Sequence, residues 1–471
     1  MLLQSIQIKN YRSIEDITFE IKALDDSSYT FGLIGVNEAG KSSILKAMAL
    51  KDSIVALTPK DFKEKNKNVE VLFKYKLDVN DNFEVYNKIV AGESPPTASG
   101  SAAIQPDDVV GFKLSFSIAS PIVPIYEFLY SKKKYDLAIS VTVPKEFFER
   151  MHYTVFWEAK SEYLISGAIN LDIFSASPEI SIPLKNSFRL AGIERSGIPM
   201  SIANITSDTT EKKHLEGRLS RAVTNHISKV WPGHPIKIIF DIDGRVITFQ
   251  VMDTNAEEGK AKTADQRSDG FRQFISFLLT VSAEDSNEEL NNCLLLLDEP
   301  ETHLHPQAQI YFLDELKKIT TNDRGNIVLF ATHSNYMIDK DKLIRNFKVT
   351  KETENTSIEP IDTKDSTYAS VNYEVFGIAT SDYHSELYGK LHEKFKIANP
   401  TNDKKEKICE FDKEFFHGTQ KQSRDKPSWG KPNQATLPTF VRNCIHHSDN
   451  GNVYTQAELI KSIELMKKLV V

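Results

Sequence analysis

A glycine-rich loop near the start of the chain carries residue types suited to holding phosphate groups. In the segment LIGVNEAGKSS, four residues separate Gly35 from the run Gly40, Lys41 and Ser42. Glycines let the backbone N–H groups of such a loop point at phosphate oxygens, the lysine reaches the β- and γ-phosphates, and the serine hydroxyl is a ligand for Mg²⁺. The residues expected to bind a nucleotide here are Gly35, Asn37, Glu38, Ala39, Gly40, Lys41, Ser42 and Ser43.

A second segment, far along the chain, has the features of the other half of a nucleotide site. The run CLLLLDEPE contains four consecutive leucines, which predict a strand buried on both faces. Asp298 ends this strand, and we expect its carboxylate to hold Mg²⁺ together with Ser42. The adjacent Glu299 is the expected base that positions the attacking water. The alternative, an ordinary surface end of a strand, is disfavoured because the phosphate-binding loop is also present.

A histidine follows the next apolar segment, NIVLFATHS, which predicts another buried strand ending at His333. Its imidazole is suited to sensing a γ-phosphate. An isolated histidine at the end of a strand is more often structural, but its position after the acidic strand favours the functional role. The expected catalytic residues are therefore Lys41, Glu299 and His333.

The elements around the loop have the order that a phosphate-binding loop requires. The apolar segment YTFGLIG predicts a strand before it, and KSSILKAMAL places Ile44, Leu45 and Met48 at helical spacing after it. Before these elements, residues 3–9 and 17–22 alternate apolar and polar side chains. This alternation predicts a hairpin with Arg12 at its turn.

Composition excludes several classes of protein. Of 471 residues, 40% are hydrophobic and 26% are charged, which fits a soluble globular chain of about two or three units. Cys293, Cys409 and Cys444 lack the paired spacing of a disulfide framework or a zinc knuckle, which favours a cytoplasmic location. No signal peptide or apolar run of roughly 20 residues is present, so no membrane contact is expected. The net charge of −7 gives no general attraction to nucleic acid, although a local DNA-binding face stays open.

Changes in composition divide the chain into four expected parts. A Gly-, Pro-, Ala- and Ser-rich stretch at 91–108 predicts a flexible connection. The sequence contains no long heptad repeat, so no coiled coil is expected between the two halves. The last residues contain a predicted capping box, Thr455 to Glu458, before an apolar helical stripe. The expected parts are an N-terminal nucleotide-binding half at 1–75, a compact, partly β insertion at 76–235, a C-terminal half at 236–350 and a mostly helical domain at 351–471.

The loop, LLLLDEPE, the histidine after the following strand and the opening IKNYRSI together resemble the ABC-type ATPase heads of the RecF, SMC and OLD-like group. The resemblance covers residues 1–60 and about 265–340. It implies an α/β fold, an ABC-type P-loop ATPase head with a mixed β-sheet, a compact α+β insertion and a mostly helical C-terminal domain. It also implies ATP and Mg²⁺ as cofactors, with Arg12 close to the nucleotide.

The same resemblance implies that a signature loop from a second head completes the site, so that the protein forms at least a dimer. The matching segment is QRSDGFRQFISFLL, with Ser268, Asp269 and Gly270 in the place of the usual signature. A small serine and a glycine at a helix start can present a hydroxyl and N–H groups to a γ-phosphate. An ordinary helix cap is the alternative for this tripeptide. The glutamine that the family carries in its Q-loop is not identified.

The C-terminal segments VNYEVFGIATSDYHSELYGKL and LPTFVRNCIHHSDNGNVYTQAEL resemble the tails of OLD-like ATPases from anti-phage systems of the Septu, retron-associated Septu and PARIS types. This resemblance implies a sensor or scaffold subunit that holds a separate effector nuclease and responds to a phage-encoded trigger. Nucleases of the Toprim type need a paired-aspartate strand for two metals, and no aspartate-x-aspartate ends a predicted strand after residue 340. The chain is therefore expected to lack that nuclease.

Two other functions remain open. Arg442, Asn443 and, after three intervening residues, His447 match the R-N-x-x-x-H pattern of HEPN ribonucleases, in which histidine acts as an acid or base toward a 2′-hydroxyl. A spacing of five is imperfect for one helical face, so a structural or partner-binding role is favoured for this pair. The third function is a RecF-like repair ATPase that closes on duplex DNA. The acidic balance and the distinctive tail place it behind the sensor hypothesis.

Overall fold

The computed structural model describes most of the chain, in two structural units that span Met1–Ile361 and Asp362–Val471. The described residues are 1–52, 56–81, 104, 106–119, 122–130, 133–137, 150–158, 160–165, 167–205, 209–230, 235–253, 261–263, 266, 272, 275–279, 291–302, 304–321, 325–361, 367–398, 407–428, 431–447 and 451–470.

Strands dominate the first unit, and the last two of the strands given next belong to the second unit. In chain order the strands are β1 (Leu2–Tyr11), β2 (Ile14–Glu20), β3 (Thr30–Ile34), β4 (Val69–Lys76), β5 (Val109–Phe116), β6 (Pro124–Tyr130), β7 (Lys133–Leu137), β8 (Tyr153–Glu158), β9 (Ala168–Asn170), β10 (Ile236–Asp243), β11 (Val246–Asp253), β12 (Lys262–Thr263), β13 (Cys293–Asp298), β14 (Ile327–Thr332), β15 (Asn346–Glu352), β16 (Asn355–Pro360), β17 (Lys426–Ser428) and β18 (Lys431–Ala435).

Helices lie between these strands and make up most of the second unit. They are α1 (Lys41–Met48), α2 (Leu171–Ala176), α3 (Ile182–Leu190), α4 (Ile198–Asn204), α5 (Thr209–Val230), α6 (Pro306–Thr321), α7 (Tyr368–Phe376), α8 (Ser381–Ala398), α9 (Ile408–Phe411), α10 (Leu437–His446) and α11 (Gln456–Val470). A π-helical turn at Asp412–Thr419 continues α9. Of the helices in the described ranges, none has the length and apolarity needed to cross a membrane.

The central sheet brings the two halves of the expected site together. Its order is β16-β15-β3-β14-β13-β8, and all neighbours are parallel except β15 and β16. The carboxyl ends of parallel strands meet at one edge of a sheet. The loop after β3, Asp298 at the end of β13 and His333 after β14 therefore lie at the same edge. The α/β fold with a mixed sheet agrees with the sequence-based expectation.

The leucine-rich strand β13 is buried on both faces, as its sequence predicts. Leu294 and Leu296 belong to a core shared with α1 and the first sheet, whose order is β2-β1-β4-β5-β6-β7. Leu295 and Leu297 belong to a second core, shared with α5, α6, β10 and β11. The central sheet is therefore covered by apolar layers on both sides, which fixes the positions of its strand ends.

The segment expected to be an insertion is divided between three sheets. Its strands β5, β6 and β7 extend the antiparallel sheet begun by β1 and β2, and β9 pairs with β11. Its strand β8, the mostly buried segment YTVFWE, pairs in parallel with β13 and forms one edge of the central sheet. The nucleotide-binding sheet thus includes a strand from the middle of the chain.

The first unit ends later than the composition suggests. The expected boundary between 350 and 351 falls within β15, whereas the structure divides after Ile361. The reason is the hairpin of β15 and β16, in which β15 pairs in parallel with β3. Buried Arg345, just before this hairpin, pairs with Asp26 Oδ2 at 2.5 Å and Asp339 Oδ2 at 2.8 Å.

The second unit has its own apolar core, formed mainly by α8, α10, α11 and the segment of α9 with its π-helical turn. The predicted capping box is confirmed: Thr455 N donates to Glu458 Oε2 at 2.8 Å, and Glu458 N donates to Thr455 Oγ1 at 3.2 Å. The apolar stripe that follows is buried, with Leu459, Ile463 and Met466 in the core. The mostly helical character predicted for this region is therefore confirmed.

Candidate functional site

The glycine-rich loop is held in shape by the hairpin of β15 and β16. Gly40 has a φ of 107°, a conformation open mainly to glycine, and a Cβ atom there would overlap the Thr356 side chain. A Cβ atom on Gly35 would likewise overlap the carbonyl oxygen of Val349. Thr356 Oγ1 also donates to Ala39 O at 3.1 Å. Both glycines are therefore required by close contact with a neighbouring backbone or side chain.

Lys41 begins α1 and is only 4% exposed. Its ammonium group donates to the carbonyl oxygens of Gly35, at 2.9 Å, and Val36, at 3.0 Å. Burial lowers the pKa of Lys41, while the carboxylates of Glu299 and Asp298 act in the opposite direction. A phosphate anion within reach of this ammonium would add to these negative charges and favour the charged form of the buried lysine.

Ser42 and Asp298 form the candidate Mg²⁺ site. Ser42 Oγ donates to Asp298 Oδ1 at 2.8 Å. Burial raises the pKa of Asp298, although the hydrogen bond from Ser42 and the charge of Lys46 act to lower it. A hydroxyl and a carboxylate are oxygen ligands of the kind that Mg²⁺ prefers, and a cation would stabilise the ionised form of Asp298. This pair therefore fits the metal that the sequence predicts.

The two expected catalytic side chains, Glu299 and His333, lie beside each other. His333 Nδ1 is 3.3 Å from Glu299 Oε1, and the side chains are 46% and 36% exposed, respectively. Glu299 has a φ of 51°, and its N–H donates to the carbonyl oxygen of Ala331 at 3.0 Å. A positive φ in a residue other than glycine is strained and is often found at functional sites.

Arg12 also faces this region, from the turn between β1 and β2. It has a φ of 50°, and Asp61 holds it twice: Arg12 Nε donates to Asp61 Oδ1, and Arg12 N donates to Asp61 O, both at 2.8 Å. Asp61 in turn accepts from Thr58 N at 2.8 Å. The arginine is therefore positioned by a short segment that the sequence did not single out.

An open cleft with a volume of about 400 Å³ lies among these groups, and neither Asp298 nor His333 lines it. The residues lining it are Arg12, Ser13, Asn37, Glu38, Gly40, Lys41, Ser42, Ser43, Glu299 and Lys351. Of the other predicted residues, Ala39 is buried behind the loop, and the carbonyl oxygen of Gly35 contacts Lys41. Ser268, Asp269 and Gly270 lie outside the described residues.

Apart from the segment around Asp61, four residues of this region were not predicted from the sequence, and one of them is Ser13, which lines the cleft next to Arg12. Lys351 and Thr356 come from the hairpin of β15 and β16, whose position beside the loop depends on long-range strand pairing. Glu301 is 1% exposed and follows Glu299 within the segment DEPE. The second glutamate of this acidic segment was the one signal available in the sequence.

Comparison with protein families gives a match over much of the first unit. A family described as "AAA ATPase domain" matches residues 1–166 and 184–338. The matched ranges contain Arg12, the glycine-rich loop, Asp298, Glu299 and His333, and they support the P-loop ATPase fold class. The hairpin that contributes Lys351 lies beyond them.

Two curated proteins resemble parts of the chain. One is Uncharacterized protein MJECL43 of Methanocaldococcus jannaschii, 29% identical over 133 residues, which are 27% of this chain and 34% of that protein. The other is Old nuclease of Escherichia phage P2, 23% identical over 149 residues, which are 30% of this chain and 25% of that protein. The chain thus matches about a third and a quarter of the lengths of these relatives.

Two solved structures are also similar. One is an SMC head bound to the C-winged helix domain of ScpA, with a TM-score of 0.42, 12% identity, and coverage of 77% of this chain and 98% of that chain. The other is the SMC head domain from Thermotoga maritima, with a TM-score of 0.39, 12% identity, and coverage of 77% and 100%. Scores this low do not bear on the fold, which follows from the family match and the sheet order.

Proposed function

The chain belongs to the AAA ATPase domain family, and we propose that it binds ATP with Mg²⁺ and hydrolyses it. The observation that carries this proposal is that buried Lys41, Ser42 and Glu299 line one cleft, where Ser42 is hydrogen-bonded to Asp298. Phosphoryl transfer depends mainly on positioning and on stabilisation of phosphate charge. A lysine, a pair of Mg²⁺ ligands and a carboxylate base supply these needs.

Each side chain has a definite role in the proposed reaction. Lys41 and the N–H groups at the start of α1 bind the phosphates, and Arg12 adds a second positive charge at the cleft. Ser42 and Asp298 hold Mg²⁺, which neutralises phosphate charge when it is bound. Glu299 accepts a proton from the attacking water. His333 Nδ1, 3.3 Å from Glu299 Oε1, can hold the direction of the carboxylate when this nitrogen carries a proton.

We further propose that two copies of the chain assemble through their nucleotide sites. Glu299 and His333 are 36% and 46% exposed in the single chain, so bulk water reaches the expected reaction centre. Hydrolytic sites gain from excluding bulk water, since charges interact more strongly there and reactive groups are shielded. A second protein surface over the cleft would achieve this. Residues 268–270 of the other copy are the proposed cover.

The biological role that we propose is that of an anti-phage sensor or scaffold subunit of the PARIS or Septu type. In this role the chain holds a separate effector nuclease and releases or activates it on a phage-encoded trigger. Two observations support it: the tail motifs, and a second unit after the ATPase unit that has its own apolar core. The similarity to Old nuclease, over 30% of this chain and 25% of that protein, is consistent with an OLD-like ATPase.

A ribonuclease activity in the C-terminal unit is the second candidate, because the structure brings its two expected residues together. Arg442 Nη1 lies 3.3 Å from His447 Nε2. Residues five apart do not share one face of a continuous helix, but α10 ends at His446. His447 lies outside the helix, with φ −138° and ψ 65°, and can therefore turn toward Arg442. In this contact the guanidinium is the donor and His447 Nε2 is the acceptor, because arginine has no acceptor atom.

Replacing Glu299 tests ATP hydrolysis. Glu299→Gln keeps the shape of the side chain but removes the base, so we expect the kcat for ATP to fall by about 100-fold or more while ATP binding persists. Phosphate release and ATP affinity of the purified chain measure the two effects. Glu352→Gln, at the exposed end of β15, is the matched control. Equal kcat values for Glu299→Gln and the wild type would contradict the proposed base.

Replacing Lys41 tests the proposed biological role. When the chain is produced in cells together with the genes that flank it, we expect phage plaque numbers to fall, and Lys41→Ala to abolish this protection because phosphate binding is lost. Exposed Lys318→Ala is the control. Full protection by Lys41→Ala, or full protection without any neighbouring gene, would argue against an ATP-dependent sensor with a separate effector. ATP-dependent, salt-sensitive binding of duplex DNA would favour the RecF-like alternative.

Replacing His447 tests the second candidate. If the C-terminal unit cleaves RNA, the purified chain with ATP degrades cellular RNA, and His447→Ala removes this cleavage because its imidazole supplies the base. Exposed His214→Ala, on α5, is the control. Gel analysis of the RNA gives the result. Intact RNA with the wild type, or equal cleavage by His447→Ala, rejects this candidate.

A further inference from the structure

A closed ring of hydrogen bonds lies behind the two expected catalytic side chains. It begins at Glu301, whose side chain accepts a hydrogen bond from the Thr332 hydroxyl through Oε1. Thr332 Oγ1 also accepts from Ser334 N at 2.9 Å. Ser334 Oγ donates to Gln309 Oε1 at 2.5 Å. The contact between Glu301 and Thr332 thus continues into α6, which contains Gln309.

The ring closes through the backbone of the loop after β13. Gln309 Nε2 donates to Leu304 O at 2.8 Å, and Leu304 N donates to Glu301 O at 2.9 Å. We call Glu301, Leu304, Gln309, Thr332 and Ser334 the Glu301 ring. It connects three elements: the loop that follows β13, the end of β14 and the first turn of α6. These elements cannot shift separately without breaking a hydrogen bond.

The Glu301 ring lies next to both expected catalytic side chains in the chain but does not line the cleft. His333 lies between Thr332 and Ser334, so ring residues flank it on both sides. Glu299 lies two positions before Glu301, and its carbonyl oxygen accepts from Thr302 Oγ1 at 2.9 Å. The lining residues of the cleft include Glu299 but none of the ring. Any effect of the ring on ATP must therefore act through other residues.

We propose that Glu301 is a positioning residue, whose hydrogen bond with Thr332 holds Glu299 and His333 at their mutual distance for ATP hydrolysis. This inference depends on the proposed ATPase function and adds a residue to it. Catalysis is sensitive to displacement, since a misplacement of about 1 Å can reduce the rate about 100-fold. The positive φ of Glu299 is strained, so the loop would lower its energy by moving away from this conformation. The hydrogen bonds of the Glu301 ring oppose that movement.

The hydrogen-bonding capacity of Glu301, rather than its charge, serves this role. Burial raises the pKa of Glu301 to about 7, although the hydrogen bond from Thr332 acts in the opposite direction. Within the described residues, Oε2 has no hydrogen-bond partner. The buried site therefore disfavours the ionised form of the Glu301 carboxyl group. Its side chain accepts the hydrogen bond from Thr332 through Oε1. A neutral glutamine has an oxygen that can do the same.

The test compares variants that break the Glu301 ring with one that preserves it. Thr332→Val has nearly the same shape but no hydroxyl, and Ser334→Ala breaks the ring at a second point. For both we expect kcat for ATP hydrolysis to fall about 10- to 100-fold, with the affinity for ATP unchanged. Glu301→Gln should keep a kcat close to that of the wild type, whereas Glu301→Ala should match Thr332→Val.

The double variant and a control separate positioning from general loss of stability. Glu301→Ala combined with Thr332→Val should lower kcat no further than either change alone, because both remove the same hydrogen bond. Thr320→Val is the matched control. Thr320 lies in α6 and is buried, as Thr332 is in β14, and its hydroxyl forms a hydrogen bond with Thr30 Oγ1 at 2.8 Å, away from the cleft. It should lower the thermal unfolding temperature and leave kcat unchanged.

The possible results distinguish this inference from the proposed ATPase function. A wild-type chain without ATP hydrolysis, or full hydrolysis by Glu299→Gln, would reject the proposed function itself. With an active wild type and an inactive Glu299→Gln, a normal kcat for both Thr332→Val and Ser334→Ala would overturn only the role of the Glu301 ring. A kcat for Glu301→Gln as low as that for Glu301→Ala would also overturn it, since charge would then be required.

Discussion

The site depends on one hydrogen bond between residues that are 256 positions apart, from Ser42 Oγ to Asp298 Oδ1. It forms because β3 and β13 flank β14 in a parallel sheet, so that their carboxyl ends meet. Apolar side chains on both faces of β13 hold this order, and each buried leucine contributes about 1.5–3 kcal/mol to folding. The position of a candidate Mg²⁺ site is thus set by packing in the two cores.

The same sheet explains why the loop needs its glycines. The hairpin of β15 and β16 lies on the other side of β3 and contacts Gly35 and Gly40 closely. It also contributes Lys351 to the cleft. The site therefore draws on four parts of the chain: the turn with Arg12, the glycine-rich loop, the ends of β13 and β14, and this hairpin.

Local patterns in the sequence predicted the groups of the site, and long-range pairing determined the rest. The loop, Asp298 and the capping box of Thr455 and Glu458 could be predicted because each depends on residues close in the chain. The place of β8 beside β13, the end of the first unit at Ile361 and the contact of Arg12 with Asp61 could not. The sequence of a strand indicates which of its faces are buried but not which other strand it pairs with.

The central claim is that Ser42 and Asp298 form a Mg²⁺ site that serves ATP hydrolysis. The most direct measurement is the Mg²⁺ concentration that gives half-maximal ATP hydrolysis, compared between the wild type and Asp298→Asn. Because a neutral amide is a weaker ligand for this cation than a carboxylate, the account predicts that Asp298→Asn needs about 10-fold more Mg²⁺ or more. The same Mg²⁺ requirement in both proteins would contradict it.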